Sequence, residues 1–393
     1  MPGNMKPEQM MRAYVDGKIA PVDATLADHT SQLAADAINH MVATEFSGAY
    51  DGVDLTVRFA SEIANYTDPW AWVKARIDAE NFEGLHVHDY IQVTCSNPGA
   101  YVLKMEIVGI NTYKGAGGTE IPAHIDWISR DCWPDTVQYN LANYNNGIGL
   151  DKFAGDGATK VFQLTRREVG YPALSSVTVG GTAMTSGTDY TYDGATGVLT
   201  FTSAPANAAA IKAVWATPIA VPFMASNVYA YMNSLRMGVP NEAAADPLLT
   251  EVDYSAGGIY KFLPAALKAV ISNKRTYMAK RYTAGSLLTS SNDYADVAIG
   301  PLWLPDEMEI YGTYMFATGT YDKWFSRWYP AFMGGNRKKG AGNGGSRSYW
   351  WLIPANSGNS TNVCYVYNYG LANNSYASNT SLRVPVGFRI AKT

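Results

Sequence analysis

Few stretches of this 393-residue chain carry side chains spaced for chemistry. His86-x-His88-Asp89 would put two imidazoles on one face of a strand, and His124-x-Asp126 could add ligands, a combination that would suit a transition metal. Spacing of two is common on solvated strands, and no partner presents itself to orient either ring, so the set reads as a strand face near a turn. Asp306-Glu307-x-Glu309 is acidic, as calcium sites are, but sits in a stretch that reads as scaffold, and no metal is expected. Cys95, Cys132 and Cys364 are odd in number and far apart, which excludes a disulfide framework and a Cys-x-x-Cys site. The glycine runs at 115–118 and 340–345 lack the Lys-Ser/Thr of a phosphate loop. With no Ser-His-Asp order and no paired carboxylates standing out, neither a catalytic residue nor a cofactor is expected.

The C-terminal stretch points to binding instead. Over 362–369, alternation puts Cys364, Val366 and Asn368 on one side and Tyr365, Tyr367 and Tyr369 on the other. The small and apolar set should face the core, leaving a row of tyrosines outward. Around them the candidate ligand-binding residues are Asn356, Ser357, Asn359, Asn373, Asn374, Tyr376 and Asn379, with Ser360 and Ser378 between. Tyr, Ser, Asn and Gly make up paratopes: tyrosine gives contact area at low entropic cost, and the small polar residues give adaptable hydrogen bonds. An ordinary polar loop with turn-forming Asn and Gly is the competing reading. The aromatic row in a charge-free setting favours an interaction surface.

Those residues need a scaffold, and composition bounds it. The chain is 47% hydrophobic and 12% aromatic, with 34 acids against 30 bases, which is a folded chain rather than a disordered or fibrous one. A net charge of -4 argues against a nucleic-acid partner; the only dense basic run is Arg337-Lys338-Lys339, in a Gly-rich loop. No stretch approaches ~18 apolar residues, so membrane insertion is not expected. The N-terminus lacks the apolar core of a secretory signal, and assembly in a reducing cytoplasm is expected. Residues 1–80 read as helical: Thr30 or Ser31 could cap a stripe of Leu33, Ala37, Ile38 and Met41, and Asp68-Pro69 opens a second helix through Trp70, Val73 and Ile77. A hairpin follows from about 84 to 107 around Asn97-Pro98-Gly99. From 151 to 218 the pattern is strand, turn, strand throughout, with Gly180-Gly181 and Asp193-Gly194 at turns, and reads as an inserted all-β domain. Beyond it, Ser226-Asn227 caps a helix ending at Gly238, a second helix spans roughly 264–273, and short strands are expected around 301–304, 349–353, 362–369 and 384–390.

The ending from Trp350-Trp351-Leu352 through Val384-Pro385-Val386-Gly387-Phe388-Arg389 resembles the C-type-lectin-fold domain of bacteriophage adhesins, and within that group the variable proteins of diversity-generating retroelements. Supporting landmarks are SNVYAYMNSLR, LPAALKAVI, LWLPDEMEIYG and GGSRSYWWL. The inserted segment resembles small immunoglobulin-like modules of phage fibre proteins. The resemblance implies an α+β chain: a C-type-lectin-like domain over 81–150 and 219–393, an Ig-like sandwich inserted at 151–218, and an N-terminal helical region, 1–80, for attachment and oligomerisation. It further implies a virion protein of a tail fibre or head fibre, not an enzyme, a homotrimer joined to other virion proteins through its N-terminal region, and a host cell-surface protein or glycan as partner. A purely structural decoration or baseplate component is the alternative. A formylglycine-generating enzyme, which shares the fold class, ranks third, because such chemistry needs reactive cysteine and the C-terminal half holds only Cys364.

Overall fold

The computed structural model describes residues 50–96, 101–116, 121–167, 170–219, 221–279, 294–317, 327–342, 344–359 and 361–393. The helix expected behind Thr30 and Ser31 and the turn at 97–99 lie outside these residues. Two single-turn helices, α1 (Leu55–Arg58) and α2 (Ala60–Ile63), precede α3 (Pro69–Asp78). The Asp68 carboxylate accepts from the N–H groups of Trp70 (2.8 Å) and Ala71 (3.0 Å), and Pro69 occupies the first turn where its missing N–H costs nothing. Its apolar stripe carries Trp70 onto Trp127 and Phe388, with ring centroids 5.4 Å and 5.6 Å apart. Leu55, Trp70, Trp72, Val73 and Ile77 therefore share one core with the rest of the main body. Residues 55–78 were expected in a separate attachment region ending at 80; their apolar faces are packed instead against the sheet that follows.

That sheet pairs β1 (Tyr90–Thr94), β2 (Val102–Ile110), β3 (His124–Cys132) and, at its far edge, the C-terminal strand β20 (Pro385–Ala391), all antiparallel. The expected hairpin is β1–β2, but it starts at Tyr90: residues 85–88 form turns, not strand. Gly387 pairs closely because a Cβ there would meet the Trp303 carbonyl at 2.6 Å. Trp303 makes a single bridge to Gly387, and the strand expected at 301–304 is no more than that contact.

The inserted segment is a two-sheet β unit. β4 (Ile148–Ala154), β10 (Ala210–Ile219), β6 (Leu174–Val179) and β7 (Thr182–Met184) form one sheet; β5 (Val161–Gln163), β9 (Val198–Phe201) and β8 (Tyr190–Asp193) form the other. Between them lies a separate core of Leu164, Val177, Tyr190, Leu199, Phe201, Ile211 and Ala213. Gly180 and Gly181, at φ 56° and 84°, make the two-residue turn that only positive φ allows. First and last strands are antiparallel neighbours, Ala154 opposite Ala210 and Ile148 opposite Ile219, so the chain leaves the main body and returns to it side by side.

On return, Ser226 caps α4 (Asn227–Asn233), accepting from the Tyr229 N–H at 3.1 Å. The helix ends at Ser234, in the left-handed conformation at φ 56°, and not at Gly238. Gly238 lies in β11 (Arg236–Pro240), paired with β12 (Leu249–Asp253). A Cβ on Gly238 would meet Thr165 Oγ1 at 2.5 Å, and its N–H donates to the Arg166 carbonyl at 2.7 Å, so this glycine is where the insert docks. Of the helix expected over 264–273 only one turn forms, α6 (Ala265–Lys268), which Pro264 separates from the single turn α5 (Ile259–Phe262) before it; β13 (Lys274–Ala279) takes over at Lys274. β13 pairs with β14 (Tyr294–Ile299); α7 (Glu307–Tyr311) and α8 (Pro330–Met333) follow. The strand pair β15 (Lys339–Gly340) and β16 (Arg347–Ser348) precedes the C-terminal sheet β17 (Trp350–Ala355), β18 (Asn362–Val366) and β19 (Ala372–Tyr376). The described residues are mostly β-sheet with few helices, compatible with an α+β or a β-rich class.

Candidate ligand-binding face

β18 puts Tyr365 on the same side as Trp351 of β17 and Asn373 of β19, its partners across the sheet. β18 ends at Val366, three residues before the expected limit. Tyr367–Leu371 closes a turn in which the Gly370 N–H donates to the Tyr367 carbonyl (2.6 Å) and the Tyr367 N–H to the Leu371 carbonyl (2.7 Å). The tyrosines do line up. Ring centroids run Tyr139–Trp351 at 5.7 Å, Trp351–Tyr365 at 6.3 Å, Tyr365–Tyr367 at 6.4 Å and Tyr367–Tyr369 at 5.7 Å, with Tyr349 bridging Tyr365 (6.0 Å) and Tyr367 (4.9 Å).

Exposure rises along that row rather than being shared. Trp351 is fully buried, with its indole N–H donating to the Val137 carbonyl at 2.7 Å. Tyr365 is 8% exposed, Tyr367 half-buried and Tyr369 60% exposed. The expectation of three outward tyrosines is corrected at Tyr365: Tyr349 and Trp351 cover it, and burial pushes its phenol pKa up.

The amide and hydroxyl residues divide between turn chemistry and exposure. Asn356 is buried and its Oδ1 accepts from the Gly358 N–H at 2.7 Å; Ser357 donates through N–H (2.8 Å) and Oγ (2.9 Å) to the Phe316 carbonyl. Exposed Asn359 accepts from the Thr361 N–H (2.8 Å) and hydroxyl (2.5 Å). The Asn373 Oδ1 accepts from the Asn374 N–H at 2.8 Å. Asn374 pairs opposite Cys364, on the sheet side away from Tyr365, and accepts from Asn362 Nδ2 at 2.7 Å. Tyr376 pairs opposite Asn362, shares that second side and is 58% exposed. Asn379 donates to Ser375 Oγ and accepts from the Ser381 N–H, both at 2.8 Å. The register thus splits the set across the β18–β19 hairpin: Tyr365 and Asn373 on one side, Asn374 and Tyr376 on the other. Sequence reasoning missed the residues that brace it from afar. Asn145 Nδ2 donates to the carbonyls of Asn359 (2.9 Å) and Asn362 (2.7 Å), and the Ser378 hydroxyl donates to Asn143 Oδ1 at 2.6 Å. Nothing local marks those asparagines; Tyr349, beside Trp350-Trp351, was within view of the aromatic count.

The metal and thiol candidates are tied up elsewhere. His86 and His88 lie in turns, with His88 at φ 77°, and they do not share a strand face. Buried Asp89 accepts from the N–H groups of Val53 (3.0 Å) and His86 (2.9 Å) and from the Tyr50 hydroxyl. His124 is buried and its tautomer is fixed: Nε2 accepts from the Tyr113 N–H at 3.2 Å, leaving Nδ1–H to donate to the Pro122 carbonyl at 2.8 Å. Burial, helped by the positive charges of Arg389 and Lys274 and opposed by Asp126, pulls its pKa down to about 4. Asp126 receives Arg389 through two bonds (2.7 and 2.8 Å) and the Tyr329 hydroxyl at 3.0 Å. Despite burial, the Arg389 guanidinium holds that carboxyl down at about 2. Glu309 takes Lys274 and the Tyr113 hydroxyl, and with Asp306 it closes a reciprocal cap at the start of α7. Glu307 accepts from three consecutive N–H groups, Met315 to Ala317, at 2.8–3.0 Å. Among the described residues no group of three or more His, Cys, Asp and Glu is arranged to hold a metal.

All three cysteines are buried and free; burial pushes Cys95 and Cys132 up to about 12, and burial with the Glu307 charge raises Cys364 well above its ordinary value. No described helix is long and apolar enough to cross a membrane. What the outer end of the row offers is flat aromatic surface, hydroxyls and backbone amides on a rigid base, an arrangement suited to contact. Comparison with protein-family models, with the curated proteins and with the solved structures finds no match to this chain.

Proposed function

We propose that the chain is a phage virion protein whose C-type-lectin-like body recognises a host-surface ligand, with Tyr367 and Tyr369 as its principal contacts, Tyr376 as a further contact from the other side of the β18–β19 hairpin, and the neighbouring Asn and Ser residues as adaptable partners. The observation that carries this is the graded aromatic row: its inner members are locked into the core, and its outer members are exposed on a turn. Residues so placed can change without disturbing what holds them. The last strand closes on β3 while the tyrosines ride on a separate three-stranded sheet, which fits the division of labour that the resemblance implies. The inserted β unit fits an Ig-like virion module. A homotrimer supplies by avidity what one small contact lacks. The function is recognition without chemistry; a protonated, buried Cys364 suits no nucleophilic role.

A purely structural virion role is the second reading, favoured by the internal hydrogen bonds that occupy Asn356, Asn359, Asn374 and Asn379. One set of variants separates the two. Tyr367→Ser, Tyr369→Ser and Tyr376→Ser are scored for particle assembly and for adsorption to host cells. Loss of adsorption with intact particles supports recognition, and unchanged adsorption in the triple variant sinks it.

A further inference from the structure

The basic run Arg337-Lys338-Lys339 plays no part in the reading above, and it lines a cavity of about 150 Å³ together with Tyr50, Asp51, His88, Glu106 and Arg130. Four cations meet two carboxylates there. Both carboxylates are already engaged by one residue: Arg130 pairs with Asp51 at 2.8 Å and with Glu106. None of the other three cations has a carboxylate partner among the described residues. Arg337 donates through Nε to the Ile310 carbonyl at 2.8 Å and lies over the Tyr311 ring. Lys338 is exposed. Lys339 is only 6% exposed and gives its ammonium to the Ser129 and Arg130 carbonyls, the latter at 3.2 Å, which leaves one of its three N–H donors over. An ammonium buried without a carboxylate in direct contact is costly, and burial pulls the Lys339 pKa down although the charges of Glu106 and Asp131 oppose the shift. An anion in the cavity would relieve that cost. His88, on the cavity wall, holds a left-handed backbone at φ 77° that a side-chain-bearing residue seldom adopts, the kind of strain that collects at binding sites.

The geometry points to an anion-binding site that takes the carboxylate of an acidic saccharide, with the sugar ring lying outside against the end of the tyrosine row. The cavity is smaller than the ~300–1,000 Å³ of pockets that enclose whole ligands, so it suits a charged head and not an entire molecule. It also adjoins the row. A Cβ on Gly370, the residue after Tyr369, would stand 3.5 Å from Arg337 Cβ and from Lys338 Cγ, and the Tyr311 hydroxyl donates to the Gly370 carbonyl at 3.1 Å. The turn that carries exposed Tyr369 thus borders the cationic recess, where an aromatic ring can offer an apolar face for a sugar ring and the cations charge-assisted hydrogen bonds for its carboxylate. The saccharide half of this assignment rests on the proposed recognition role; the anion half does not.

The test is calorimetric titration of the full chain with D-glucuronate, D-glucose, inorganic phosphate and triglutamate. Glucuronate is expected to bind saturably, roughly tenfold or more tightly than glucose, and to weaken with added salt. Lys338→Glu, an exposed change that leaves the fold intact, should lower glucuronate affinity by about tenfold or more, and Lys339→Met should abolish it. Equal binding of glucose, no saturable glucuronate binding, or full affinity in Lys338→Glu would overturn the site. Phosphate or triglutamate binding as tightly as glucuronate would overturn the saccharide assignment. Lost adsorption in the tyrosine variants without any glucuronate binding would remove this inference and leave the recognition role standing.

Discussion

Charges under the sheet and charges at the rim are handled in opposite ways. Beneath β3 and β20, Asp126, Arg389, Glu309, Lys274 and the tyrosines against them are almost fully buried, and each charge meets its opposite. At 337–339, on the same small molecule, three neighbouring cations meet carbonyls, an aromatic ring or solvent. Only 16% of the residues are charged, so few are there by accident of surface coverage. Paired charges in the interior fix which segments meet. Those left unanswered at the rim are available to something outside.

The strongest way to break this contrast is to disturb the interior. Arg389→Met leaves Asp126 buried and uncompensated and should cost about 3–5 kcal/mol in denaturant unfolding, whereas the double change with Asp126→Leu should recover most of it. A single-variant loss under ~1 kcal/mol would mean the pair is not sealed from water. Next comes the inner tyrosine. Tyr365→Ser should cost about 3 kcal/mol, while Tyr369→Ser stays within ~0.5 kcal/mol, by thermal melting of both. Equal losses would erase the distinction between the inner and outer ends of the row. Third is pH. His124 has its folded pKa pulled from 6.5 to about 4, so between those values the unfolded chain binds a proton that the folded chain refuses. The penalty is absent above pH 6.5, grows as pH falls through that window, and comes to about 3 kcal/mol in all. His124→Gln should flatten stability between pH 6.5 and 4; an unchanged slope there would place the linkage elsewhere. Smallest is Lys338→Glu, which should leave unfolding within ~0.5 kcal/mol.

Features fixed by neighbouring residues were legible in the sequence. Asp68-Pro69 and Ser226 start their helices as expected, and Gly180-Gly181 makes its turn. Alternation anticipated the tyrosine alignment, although Tyr367 and Tyr369 are held in it by the turn after Val366. It did not anticipate their exposure, because Tyr349 and Trp351 reach Tyr365 from another strand. Asp126 and Arg389 meet across 263 positions of chain, and Asp126 was read as a metal candidate because its partner lay out of sight. Gly238 looked like a helix stop; what it accommodates is Thr165, in a different unit. The basic run was visible as charge, but the cavity it lines needs Asp51, His88, Glu106 and Arg130, brought in by four other segments.

The hydrogen-bonded pairing of β4 with β10 also bears on how the chain finds its fold. Residues 147 and 221 flank a loop of roughly seventy residues, and a loop of that length resists closure on entropic grounds. The inserted unit has its own core, and wherever it is folded its first and last strands hold those two ends together. To the segments on either side, the insert then behaves as a short tether, so the contacts of Trp133 and residues 138–140 with α4, distant along the chain, form with the entropy of near neighbours.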